Sequence, residues 1–123
     1  VENGKLQSCP DSPNCVNSQA EDKEHLVKPF LITGTPAEVQ SKLLSVLGEH
    51  SNAKVIMKED SYIKAEFTSS VFRFVDDVEF YFPNSESEEI AVHIRSASRL
   101  GHSDMGVNRK RIEEFRAQVL QIK

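Results

Sequence analysis

The sequence predicts an α+β fold: two layers, with an antiparallel sheet of about five strands carrying two helices on one face. Three observations lead there. Four strand-like stretches follow one another between residues 53 and 98 with short polar connections, the pattern of an antiparallel meander. Helix-like stretches lie before and after them, and an apolar sheet face needs such a cover. The chain has 123 residues, 38% of them hydrophobic and 28% charged, which suits one soluble core.

The elements read in order β-α-β-β-β-β-α. Residues 1–25 are polar and hold prolines and asparagines. They are expected to be an N-terminal extension ordered near its cysteines, with residues 26–123 as the α+β domain. VKPFLI, 27–32, is a short strand, and Pro29 assigns it to an edge or a strand start. Thr35, Pro36 and Glu38 form a capping-box signature. The helix should span 36–47, with Val39, Leu43, Val46 and Leu47 on its apolar face and Gly48 at a left-handed exit. The next strands are 53–59, 61–69, 76–82 and 89–98, with acidic NSESEE as a solvated loop before the last. The final helix should span 105–121, burying Ile112, Phe115, Val119 and Ile122, with Ser103 or Asp104 as its N-cap.

If the strand is unbroken, alternation along FRFVDDVEFYF places Phe72, Phe74, Asp76, Val78, Phe80 and Phe82 on one face, and Asp77, Glu79 and Tyr81 on the other, while a β-bulge near Val75 would alter only the Phe72–Phe74 end. Setting Phe82 opposite Ile90 aligns Phe80 with Val92 and Val78 with Ile94. The same register sets Asp76 against Ser96 and Asp77 against Arg95.

Charge singles out one stretch. RSASRLGHSDMGVNRKR, 95–111, carries five basic residues and one acid, Asp104, in a chain of net charge −4. The cations stand where a helix begins, the end that disfavours them. Asp76, Asp77, Arg95, Ser96, Arg99, Ser103, Asp104, Asn108 and Arg109 form the candidate polar cluster. A buried carboxylate needs a partner, and Arg109, with its planar fork, is the expected one for Asp76. The cluster admits three roles: a clamp joining sheet to helix, an anion pocket with Arg95, Arg99 and Arg109 as donors, or acid–base catalysis. The last is disfavoured, because neighbouring strand residues point to opposite faces and Asp76 and Asp77 cannot share a proton. No G-x-S-x-G elbow supports Ser96, Ser98 or Ser103 as a nucleophile. LGHSDMG matches no phosphate-loop pattern, and a tight turn into the helix is the plainer account of its glycines. The phenylalanines read as core, although a curved sheet under a helix also admits an apolar ligand.

The two cysteines, Cys9 and Cys15 in CPDSPNC, have the wrong spacing for a C-x-x-C redox pair or a zinc knuckle. A disulfide is expected, contributing roughly 2.4 kcal/mol by loop entropy and implying an oxidising compartment. The four histidines match no metal spacing, and no metal or cofactor is expected. A pI near 5.6 argues against a general nucleic-acid binder. Starting at Val1 rather than Met, the chain reads as a processed product.

CPDSPNCVNSQ, FRFVDDVEFYF and RSASRLGHSDMGVNRKRIEEF together resemble domain-of-unknown-function family 1499, over nearly the whole chain. The resemblance implies a bacterial or plastid protein, in bacteria often exported or a lipoprotein, and supplies no catalytic residues. The expected function is a non-enzymatic exported binding module, periplasmic or membrane-anchored through a lost leader, for a small anionic or amphipathic molecule or a protein partner. The alternatives are an enzyme using the Arg/Asp cluster on a carboxylate or phosphate substrate, and a purely structural interaction domain.

Overall fold

The computed structural model describes residues 1–70, 73–100 and 106–122. Six strands and two helices occur in the order β1 (Cys15–Asn17), β2 (Phe30–Thr33), α1 (Pro36–Glu49), β3 (Ala53–Glu59), β4 (Tyr62–Thr68), β5 (Val75–Tyr81), β6 (Glu89–Ser98) and α2 (Val107–Leu120). The sheet is antiparallel and open, with path β1-β6-β5-β4-β3, and β2 also pairs with β6. The α+β architecture read from the sequence is thus present, with one strand more. That strand, β1, is three residues long, too short for alternation to announce it.

β6 is the longest strand because it serves two short partners as well as β5. Its first half pairs with β2, from Phe30↔Val92 to Thr33↔Glu89. Its second half pairs with β1, as Cys15↔Ala97, Val16↔Ser96 and Asn17↔Arg95. Alternation along β4 and β5 is clean: Ile63, Ala65, Phe67, Val78 and Phe80 are buried beneath the helices. α1 adds Val39, Leu43, Val46 and Leu47, and α2 adds Ile112, Phe115 and Val119. Phe115 lies at the centre, its ring 5.0 Å from Phe80 and 6.0 Å from Phe30. Val16, from the N-terminal segment, belongs to the same core.

Four expectations need correction. α1 starts at Pro36 behind the Thr35–Glu38 capping box as read, but it runs through Gly48 to Glu49. Gly48 is an ordinary helical residue there, and His50 closes the helix in an extended conformation. α2 starts at Val107, with Gly106 as a left-handed N-cap at φ 80°. Ser103 and Asp104 lie outside the described residues. Third, β5 begins at Val75, after Arg73 at φ 60°, so Phe74 leaves the buried face and is 52% exposed. Phe72 lies outside the described residues.

The fourth correction is the β5–β6 register. The pairs are Asp76↔Ser98, Asp77↔Ala97, Val78↔Ser96, Glu79↔Arg95 and Phe80↔Ile94. The chain is therefore shifted by two residues from the expected alignment. An even shift leaves every side chain on its expected face, so apolar matching cannot distinguish the two. Pairing of 89–92 with β2 and the Glu79–Arg95 charge match accompany the observed register.

Candidate functional site

The sheet divides the candidate cluster. On the helix side, β5 presents Asp76, β6 presents Ser96, and the first turns of α2 present Asn108 and Arg111. Asn108 is fully buried. Its Nδ2 donates to the carbonyl of Asn14 and to Ser98 Oγ, and its Oδ1 accepts from Ser96 Oγ at 2.6 Å and from Arg111 Nη1 at 2.9 Å. One amide thus ties the disulfide loop, β6 and α2 together.

The partner of Asp76 is Arg111, with Nη2 to Oδ2 at 2.7 Å. Its guanidinium also lies 5.0 Å from the centre of the Phe67 ring. The expected partner, Arg109, instead donates to the carbonyls of Leu26 and Glu24. Helical periodicity accounts for the exchange. Positions 108, 111, 112 and 115 share one stripe, and 109 lies about 100° around the axis from 108. That signal was available once Ile112 and Phe115 were assigned to the core.

On the opposite side of the sheet, Arg99 grips Asp77 with two hydrogen bonds of 2.8 Å and reaches Glu66 through Nη2. The Asp77 carboxyl is held below its usual range, first by those hydrogen bonds. Arg95 is buried beside Glu79, with Nη1 3.6 Å from Oε2. The Tyr62 hydroxyl donates to Glu79 Oε1, and burial, then that bond, pushes the phenol upward. Asp76 and Asp77 therefore work through different arginines on different faces. The structure brings Asp76, Ser96 and Asn108 together, groups Asp77 with Arg99 and separately places Arg95 beside Glu79, and sends Arg109 elsewhere.

A third cluster secures the N-terminal segment. Cys9 and Cys15 are disulfide-bonded, with Cα atoms 5.7 Å apart. The His25 ring donates to Asp22 Oδ2 through Nδ1 at 2.5 Å and to the Ser12 carbonyl through Nε2 at 2.8 Å. Neither partner can donate, so only the protonated ring satisfies both contacts at once. The Ser12 carbonyl is the largest cause of its raised pKa. Asp22, Glu24 and His25 place oxygen or nitrogen atoms within 4.8 Å of one another, and both ring nitrogens of His25 are engaged, by Asp22 and by the Ser12 carbonyl.

Below pH of about 6.5 the His25 clamp contributes its full stability, which is lost as pH rises through the raised folded pKa. His93 acts in the opposite sense. Burial lowers its pKa, so its contribution is present above about pH 6.5 and is lost as pH falls through the folded pKa. Urea melts between pH 5.5 and 8 should separate the two. His25→Gln should leave stability rising with pH, and His93→Gln should leave it falling. Identical slopes for both variants would refute this assignment.

A cleft of about 310 Å³ opens beside the inner network, where α2 begins. His50, Asn52 and Phe67 form one side, and Val107, Lys110 and Arg111 the other, with Glu114 completing the lining. Lys110 and Val107 are exposed. The cleft thus combines apolar side chains, the exposed cation Lys110, the Arg111 guanidinium paired with Asp76, the carboxylate Glu114 and the positive end of a helix. Ser96, behind it, is fully buried and hydrogen-bonded to Asn108.

Among known proteins, no curated relative matches. The crystal structure of TTHA0849 from Thermus thermophilus is similar at 13% identity, over 86% of this chain and 90% of that one, with a TM-score of 0.38. At that level the likeness carries no argument. The family comparison is decisive: the model described as Protein of unknown function (DUF1499) matches residues 5–119, and the chain belongs to that family.

Proposed function

We propose that this protein is a non-enzymatic binding module, exported to an oxidising compartment, that takes a small amphipathic anion in the cleft at the start of α2. The supporting observation is the composition of that cleft: the exposed Lys110 at a helix N-terminus, beside Phe67 and Val107. An anionic head is held by exposed Lys110 and the helix end, since Arg111 is already paired with Asp76, and an apolar tail lies against the ring and the valine. The cations first assigned to capture have other work. Arg99 is committed to two carboxylates and Arg109 to two carbonyls. The disulfide supports export, since such bonds persist in oxidising compartments.

Calorimetric titration with hexyl phosphate tests the reading, with inorganic phosphate and hexanol as its two halves. Hexyl phosphate should bind saturably and more tightly than either half. Lys110→Glu reverses an exposed charge, so it should weaken binding about tenfold or more without lowering the thermal midpoint. Absence of saturable binding, or an unchanged affinity in Lys110→Glu, would sink the proposal.

A further inference from the structure

The strand path ends at β3, and among the described residues no strand pairs with its outer edge. An open edge is a row of unpaired backbone donors and acceptors, able to take up another strand. At the C-terminal corner Gln40 Nε2 donates to the Glu59 carbonyl at 2.7 Å. The stretch before that corner is apolar and open to solvent. Val55, Ile56 and Met57 are 39%, 45% and 47% exposed. Among the described residues, no other large apolar residues exposed to this degree are neighbours in the chain. Exposed apolar residues scattered singly are ordinary, whereas a contiguous patch marks an interaction surface.

Edge strands are commonly guarded by lysines and bulges, and β3 has both. Lys54 and Lys58 flank the apolar run, and the register against β4 slips between Val55 and Met57. The slip changes which residues share a face. Lys54 stands opposite Glu66, Met57 opposite Lys64 and Glu59 opposite Tyr62, all on the side of the sheet away from the helices. Val55 and Lys58 stand opposite the buried Ala65 and Ile63, on the helix side. A base, Lys54, and an acid, Glu59, therefore share the outer face at the two ends of the apolar run. A strand with that pattern is complementary to itself when turned antiparallel.

We infer that β3 is a dimerisation edge that pairs antiparallel with β3 of a second copy of this chain. The charges and faces select the register. Setting Ile56 opposite Met57 of the second copy places Val55 opposite Lys58 and Lys54 opposite Glu59, each pair occurring twice by symmetry. Lys54 and Glu59 then meet on the outer face, and Val55 and Lys58 meet on the helix side, where the lysine stem covers the valine. A shift of one residue, with Ile56 opposite itself, sets Lys54 against Lys58, and like charges directly opposite repel. The lysines thus deter strands that bring no acid, and Glu59 admits this one. The two sheets become continuous, with the helices of both copies on one side. An edge of seven residues buries less than the roughly 1,600 Å² of a standard interface, so the dimer is weak and exchanges rapidly. β3 shares no residue with the cleft at the start of α2, and the inference stands independently of it.

Sedimentation of the full chain at concentrations up to about 1 mM should show a reversible monomer–dimer equilibrium. Lys54→Glu and Glu59→Lys each create two like-charge pairs across the symmetric contact, so each should weaken the dimer about tenfold or more. Both side chains are exposed, and both variants should keep the thermal midpoint of the parent. Mixing the two variants sets opposite charges against each other again, so the mixture should form a heterodimer about as tight as the parent dimer. A parent chain that stays monomeric throughout, single variants that dimerise like the parent, or a mixture no tighter than either variant alone would each overturn the inference.

Discussion

Arg111→Ala is expected to lower the unfolding free energy by about 3–5 kcal/mol in urea melts at neutral pH. The change leaves the buried Asp76 carboxylate without its cation. It also removes a donor to Asn108 Oδ1 and the charge over the Phe67 ring. Arg111→Lys should recover only part of the loss, since an ammonium cannot serve Asp76 and Asn108 with one planar fork. Arg109→Ala is the internal comparison. Arg109 is partly exposed and makes hydrogen bonds to two carbonyls, so its loss should cost about 1–2 kcal/mol. A larger loss for Arg109→Ala than for Arg111→Ala would overturn the assignment of the clamp.

Phe115→Ala should cost about 3–5 kcal/mol, within the range for large cavities in packed cores. The ring is 1% exposed and lies against Phe30, Phe80 and His50. It therefore joins α2 to β2, to the middle of the sheet and to the end of α1. Phe115→Leu keeps most of the volume and should cost under about 1.5 kcal/mol. Equal losses for the two variants, measured by the same melts, would show that the ring's packing does not hold α2 in place.

Much of this architecture was legible before any coordinates. Thr35, Pro36 and Glu38 marked the start of α1, because a capping box is a local device that needs no tertiary partner. Period-2 alternation in Tyr62–Thr68 and Val75–Tyr81 assigned Ile63, Ala65, Phe67, Val78 and Phe80 to the buried face. It also separated Asp76 from Asp77, which excluded a shared-proton pair. The Cys9–Cys15 bond was legible because these are the only cysteines and stand close in the chain. For the candidate site, Asp76 was expected opposite Ser96 and stands opposite Ser98, and Arg111 is the side chain that reaches Asp76, Ser96 and Asn108 alike. Arg111 was passed over for Arg109, although the Ile112–Phe115–Val119 stripe already pointed to it. The cleft formed by His50, Phe67 and Lys110 joins residues from three separate elements, and no local pattern announces such a meeting.

Composition, local caps and periodicity by themselves determined that this chain is an α+β domain with a disulfide loop and a sheet–helix polar junction. These properties depend on residues a few positions apart. Only the tertiary structure decided the β5–β6 register, because an even shift keeps every face and both registers set a carboxylate opposite Arg95, Asp77 in the expected one and Glu79 in the observed one. It likewise decided which arginine answers which carboxylate, and that residues 1–7 lie across the outer face above Glu79. Long side chains reach several ångströms in any direction, so sequence spacing selects a set of partners for them, and packing selects one.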